Sequence, residues 1–216
     1  MLTTCAIRTP GTTSKSQRLG GLPLARMLVA DLRHFLNMPD WAPGPARRLA
    51  DELITIVRAA TAGDAGAAWI SALECRRRPG HRTCTGSISI VRTEVPALIR
   101  WWCTSCADAG TINGWERTPF DLRLQHGELD PVTRDTLVVS AEVAATLRSV
   151  LVLDPAVERA VFRARTTKRG VELFADEREL DDLLDAIAAE ANHETKRPRR
   201  VRLDDALAAL EAELLR

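Results

Sequence analysis

The pattern of apolar and polar residues divides the chain into a helical start, a β-rich middle and a mixed C-terminal part. The first apolar residues fall at helical spacing: Leu24, Met27, Leu28, Leu32 and Phe35. The turn-forming stretch 39–45 ends this run, and a second amphipathic helix follows and stops near Gly63. Two helices joined by a short loop predict an antiparallel helical hairpin.

The spacing of apolar residues changes from a helical to a strand-like period between Trp69 and Phe120. The apolar runs 87–91 and 97–102 flank the turn at 94–96, which predicts a β-hairpin, and a third short strand is expected near Thr111. This middle segment therefore favours a small antiparallel β unit.

The C-terminal part alternates strand and helix patterns. Strands are predicted at 136–139, 159–165 and 171–174, with a Ser140-capped helix continuing to residue 152. A long amphipathic helix is predicted over 176–191. The basic stretch 196–200 is expected to separate it from a last helix, which carries Leu203, Leu207, Leu210 and Leu214.

Together these elements predict an α+β fold in which a helical hairpin leads into the β unit and a small α+β domain with two C-terminal helices follows. The predicted organisation is a flexible tail over 1–20, a first domain over 21–125 and a second over 126–216. Aromatic residues make up 4% of the chain and Tyr is missing, so Ala and Leu must fill most of the core.

Charge and hydropathy narrow the class of protein. No stretch approaches the roughly 18–20 apolar residues of a membrane helix, and the N-terminus lacks the apolar core of a signal peptide. We therefore expect a cytoplasmic protein with no membrane contact. The net charge is +1, yet residues 1–110 hold fourteen basic and eight acidic side chains, a balance of +6. An excess of this kind in one half is compatible with a nucleic-acid partner.

Four of the five cysteines fall within residues 75–106, and Cys103-Thr104-Ser105-Cys106 forms a CxxC motif. Clustered cysteines in a reducing compartment indicate metal binding more often than disulfides. Zinc takes four tetrahedral thiolate or imidazole ligands, and a CxxC turn presents two sulfurs to one ion. The sequence thus predicts one structural Zn²⁺ per chain, and no small-molecule cofactor motif is evident.

Two residues are candidates for the fourth ligand position. Cys84, Cys103 and Cys106 belong to either solution, while Cys75 and His81 compete for the remaining place. We favour Cys75 because a thiolate is the stronger zinc ligand. The alternative, His81 with Cys84, has the tighter two-residue spacing of an ordinary knuckle.

The segment 75–115 resembles the zinc-ribbon group, in which two cysteine knuckles at the ends of β-hairpins hold one structural zinc. It departs from that pattern in its long first knuckle and in having Ala107 where a Gly often follows the CxxC. The whole chain is also similar to bacterial proteins to which we can attach no activity. The ribbon resemblance implies a metal and a stabilised hairpin, and it does not imply catalysis.

Two chemical alternatives compete with a structural zinc. Trp102 followed by CxxC is similar to a thioredoxin motif, but redox chemistry requires the motif at a helix N-terminus, and the residues after Cys106 are turn-like. A catalytic zinc needs an open position and a neighbouring base, and no His/Cys-x-Glu precedes Cys103. Both observations favour a filled site.

The functional hypothesis is a non-enzymatic, zinc-stabilised binding protein. Four arginines on the metal loop could contact phosphates of a nucleic acid: Arg76, Arg77, Arg78 and Arg82. One alternative is a protein–protein interaction module with a purely structural zinc. A weaker alternative is an enzyme whose site is not visible in the sequence.

Overall fold

The computed structural model describes residues 27–39, 41–123 and 135–215. Within them the chain forms a mixed α+β fold with one eight-stranded sheet and five α-helices. The predicted tail and the predicted domain boundary near residue 125 lie outside the described residues. No helix in the described part combines the length and the low polarity that crossing a membrane requires.

The sheet has the strand order β1-β5-β4-β3-β2-β7-β8-β6. Its N-terminal strands are β1 (Met27–Asp31), β2 (Trp69–Glu74), β3 (Ser87–Glu94), β4 (Ala97–Cys103) and β5 (Ala109–Asn113). The remaining strands are β6 (Asp135–Val139), β7 (Arg165–Thr167) and β8 (Gly170–Ala175). Neighbours are antiparallel except β1 and β5, and β2 joins β7 through Ser71 and Arg165. Strands from both predicted domains belong to this one sheet, and the division into two domains stays a prediction.

The helices are α1 (Gly44–Ala62), α2 (Ala141–Leu147), α3 (Pro155–Phe162), α4 (Glu177–His193) and α5 (Arg197–Leu214). α1 packs on β3, β4 and α3, while α2, α4 and α5 pack together near β2, β6 and β8. The hydrophobic residues accordingly form two clusters, one under α1 and one under the C-terminal helices.

The predicted β-hairpin and third strand are confirmed as β3, β4 and β5. The second predicted helix corresponds to α1, and the predicted long helix to α4. The Ser140 cap is also confirmed, since its hydroxyl accepts a hydrogen bond from the Val143 backbone N–H at 3.1 Å. That helix, however, ends at Leu147 and not near residue 152.

The first helix of the predicted hairpin is wrong over the described residues. Met27–Asp31 forms the edge strand β1, and Leu32–Phe35 forms a short 3₁₀ helix. The apolar spacing fitted a helix, but the segment gains a parallel hydrogen-bonded ladder with β5. The Asp31 carboxylate then accepts a hydrogen bond from the Arg33 backbone N–H at 3.0 Å and stops the strand.

Two further predictions in the C-terminal part need correction. The predicted strand over 159–165 is mostly helix α3, which begins at Pro155 and is capped by the Asp154 carboxylate accepting from the Ala156 N–H at 2.9 Å. The basic stretch 196–200 was expected to separate two helices, but only Lys196 precedes α5. Arg197–Arg200 form the first turn of α5, where Pro198 is tolerated because the first helical N–H groups need no partner within the helix.

Candidate metal centre

The first pair of cysteines closes the loop that joins β2 to β3. Cys75 directly follows β2, and its backbone N–H donates to the Gly86 carbonyl at 2.8 Å. Cys84 lies near the other end of the loop and donates its backbone N–H to the Arg77 carbonyl at 2.9 Å. These two hydrogen bonds bring both cysteines to the base of one long knuckle.

The second pair lies in the turn between β4 and β5. Cys103 is the last residue of β4 and donates its backbone N–H to the Asp108 carbonyl at 2.8 Å. Thr104 donates its N–H to the Ser87 carbonyl at 2.9 Å, which ties this turn to the start of β3. The sheet therefore delivers both knuckles to the same end.

The four sulfur atoms converge within 4.8 Å of one another. Cys75 Sγ lies 3.7 Å from Cys106 Sγ, and Cys84 Sγ lies 3.6 Å from Cys103 Sγ. A tetrahedron with zinc–sulfur bonds of about 2.3 Å has sulfur–sulfur edges of about 3.8 Å. A disulfide would require about 2.05 Å, and all four thiols are free. The spacing fits one tetrahedral ion between four thiolates.

Two of the sulfurs accept a hydrogen bond from the backbone N–H two residues later: Gly86 donates to Cys84 at 3.4 Å and Ser105 to Cys103 at 3.3 Å. At the other two, the backbone N–H groups of Arg77 and Asp108 act to lower the pKa of Cys75 and Cys106. Cys103 also accepts from the Cys106 N–H at 3.4 Å. Such donors stabilise negative charge on sulfur and orient the ligands of a metal.

Burial works against ionisation of Cys75, Cys103 and Cys106. It raises the pKa of Cys75 and of Cys106. At Cys103 burial acts in the same direction, but the backbone N–H groups of Ser105 and Cys106 and the thiols of Cys106 and Cys84 together outweigh it, and the pKa is lowered. A divalent cation would hold all four sulfurs as thiolates, because a coordinating thiol is deprotonated outright.

An ion pair joins the two knuckles at their outer side. Arg77 Nε donates to Asp108 Oδ1 at 2.7 Å, and Asp108 is buried although its partner is exposed. The backbone N–H groups of the same two residues face Cys75 and Cys106, so the pair fixes one donor from each knuckle. The sequence analysis missed Asp108, whose only signal is its position two residues after the CxxC.

Gly86 is required by the close approach of the two knuckles. A Cβ at this position would lie 2.5 Å from Cys103 Sγ and 2.9 Å from the Ser105 backbone nitrogen. No side chain fits there without moving backbone.

The structure places Cys75, not His81, in the cluster. His81 is exposed in the short 3₁₀ turn Pro79–His81, with a left-handed φ of 66°. Cys106 leads into β5, so the CxxC does not stand at the helix N-terminus that thioredoxin chemistry uses.

The four arginines of the predicted nucleic-acid surface are all exposed on the loop after β2: Arg76, Arg77, Arg78 and Arg82. They do not act alike, because the charge of Arg77 is neutralised by Asp108. Of the tryptophans near this loop, Trp101 and Trp115 are buried in the core and Trp102 is half-buried.

Comparison with known proteins finds no similar protein. No protein-family model, no curated protein and no solved structure matches the chain. The four-cysteine cluster is therefore the observation on which a functional proposal can rest.

Proposed function

We propose that this chain is a zinc protein in which one structural Zn²⁺ is bound by Cys75, Cys84, Cys103 and Cys106. The observation that carries the proposal is the set of four sulfurs with spacings close to the edges of a zinc–thiolate tetrahedron. Four protein ligands fill a tetrahedral ion and leave no position for a reacting water, which favours a structural over a catalytic role.

The zinc would fasten together parts of the sheet that are distant in the sequence. Cys75 follows β2, Cys84 precedes β3, and Cys103 and Cys106 flank the turn from β4 to β5. Because the ligands assemble only in the folded chain, the binding free energy of the metal adds directly to folding stability.

Native mass spectrometry tests the proposal by counting zinc. The wild-type chain should carry one Zn²⁺, and Cys103→Ser should lose it and lower the free energy of unfolding by about 4 kcal/mol or more. Cys5→Ser makes the same chemical change outside the 75–106 segment and should retain zinc. His81→Ala should retain zinc as well, because its side chain is not in the cluster.

Two results would contradict the proposal. One is a wild-type chain that is fully stable without metal. The other is loss of zinc in His81→Ala while Cys75→Ser keeps it, which would restore the alternative ligand set.

A nucleic-acid partner is the second part of the proposal, with protein–protein interaction as its alternative. Its support is the exposure of Arg76, Arg78 and Arg82 on the loop that the zinc would fix. Phosphate contacts predict affinity for generic DNA or RNA that falls steeply with salt. Lack of binding at low salt, or binding unchanged in Arg82→Gln, would favour the protein-interaction alternative.

A further inference from the structure

A cleft of about 570 Å³ lies beside the metal centre. It is bordered by α1, the end of β2 with the loop that follows, α2 and α3. Part of its lining is apolar, with Ile56, Leu73, Ile88 and Phe162 contributing. Its volume falls in the range of about 300–1,000 Å³ that small-molecule sites occupy.

Arg148 enters this cleft from the C-terminal end of α2. Its Nη1 atom is buried and has no hydrogen-bond partner among the described residues. A buried charged donor without an acceptor destabilises the folded state, and a bound anion in the cleft would remove that cost. Burial lowers the pKa of Arg148 to about 10, which still leaves the guanidinium protonated at neutral pH.

The lining includes two more arginines, Arg76 and Arg78 on the metal loop. Besides burial, two neighbouring charges act on the pKa of Arg148: Glu74 raises it and Arg76 lowers it, so both side chains lie near the guanidinium. A fourth lining arginine, Arg58, is already ion-paired with Glu158 and lies over the Phe162 ring at 4.3 Å.

The charged groups around the cleft nearly balance, so the unpartnered donor selects the ligand. Besides Arg58, the lining holds Arg76, Arg78 and Arg148 against Glu52, Glu74 and Cys75, which the proposed zinc would hold as a thiolate. Glu74 is exposed at the end of β2, and the buried group that lacks a partner is the cation. An added anion would therefore satisfy the site, whereas an added cation would leave Arg148 without an acceptor.

We propose that this cleft binds a small organic anion, a molecule that presents a phosphate or carboxylate to Arg148 and Arg76 and an apolar body to Ile56 and Phe162. The planar fork of a guanidinium matches both oxyanions in two parallel hydrogen bonds. The proposal goes beyond the structural zinc and connects with it at one wall, because Arg76 directly follows the ligand Cys75 and the metal would hold that wall in place.

Calorimetric titration of the zinc-loaded full chain tests the cleft with three probes of similar size: phenyl phosphate, benzoate and benzyl alcohol. At least one anion should bind saturably and at least about tenfold more tightly than the neutral alcohol, since a hydrogen bond to a charged group is worth about tenfold or more. The comparison of phenyl phosphate with benzoate identifies the preferred oxyanion.

Arg148→Gln should weaken binding of the preferred anion at least about tenfold. It should leave the free energy of unfolding unchanged or higher, because in the folded chain Nη1 makes no hydrogen bond within the described part. Arg178→Gln removes an arginine that is 91% exposed at the start of α4 and should bind like the wild type. If Arg148→Gln does not fold, Arg76→Gln on the exposed loop provides the same test.

The proposal is overturned if neither anion binds saturably, if benzyl alcohol binds equally well, or if Arg148→Gln or its replacement binds like Arg178→Gln. Zinc is counted in the same samples. A zinc-loaded chain that binds neither anion contradicts the cleft alone, and a chain that binds an anion without zinc contradicts only the structural zinc.

Discussion

The two hydrophobic clusters of this protein differ in amino-acid composition. The helix cluster, under α2, α4 and α5, consists of buried Ala, Val, Leu and Ile only. The knuckle cluster, under α1, also contains Trp101, Trp115, Phe162 and three buried cysteines. One cluster extends to a polar, sulfur-rich end of the sheet, and the other is closed by apolar packing.

This difference indicates how each part is stabilised. Helices α2 and α4 are capped by side chains, and α4 has a full capping box in which Asp176 and Glu179 satisfy each other's backbone N–H groups. The loop between β2 and β3 holds eleven residues between Cys75 and Ser87 with little regular structure. We infer that the stability of the helix cluster depends on how well its side chains fill space, and that the stability of the knuckle end depends on the proposed zinc.

Among substitutions outside the four cysteines, the largest effect that separates the two clusters is expected from a cavity in the helix cluster. Leu203 is fully buried in α5, and Leu203→Ala should lower the free energy of unfolding by about 3 kcal/mol. The zinc content should stay at one per chain, because no ligand lies in this cluster. Urea unfolding combined with metal analysis measures both quantities.

Leu215→Ala is the control for that experiment, since Leu215 is 89% exposed and its truncation should change stability by less than about 0.5 kcal/mol. Loss of zinc in Leu203→Ala would show that the two clusters are not independent and would contradict the comparison.

A smaller and more local effect is expected at Gly86. A Cβ there would crowd Cys103 Sγ, so Gly86→Ala should destabilise the chain by about 2 kcal/mol and weaken zinc affinity in competition with a chelator. Gly66→Ala is a matched control. Its Cβ would meet nothing within 4 Å, and its φ of 90° strains the backbone alone. It should lower stability without changing zinc affinity, and equal zinc affinity in both variants would contradict the account.

The parts of the fold that the sequence predicted are those specified by nearby residues. The turn at 94–96 between two apolar runs defines the β3–β4 hairpin, and Asp176 followed by Leu180, Leu183 and Ile187 defines α4. The CxxC motif likewise identified two members of the four-cysteine cluster within one turn. In each case the residues that carry the sequence pattern and the element that they predict lie within about twenty residues of each other.

The failures come from partners that are distant in the sequence. The segment Met27–Asp31 is a strand because β5 lies beside it, some eighty residues later, and its own apolar spacing fits a helix equally well. The Arg148 side chain lines the same cleft as Arg76, although the two residues are some seventy positions apart in the sequence. The choice between Cys75 and His81 also needed the fold, because both are close enough in sequence to Cys84.

X-ray absorption at the zinc edge is the sharpest test of the four-cysteine site, because it reports the atoms bound to the metal and their distances. Four sulfur ligands at about 2.3 Å are expected for the wild-type chain. A shell that includes a nitrogen at about 2.0–2.1 Å, or fewer than four sulfurs with an oxygen in the remaining position, would contradict the four-cysteine structural site.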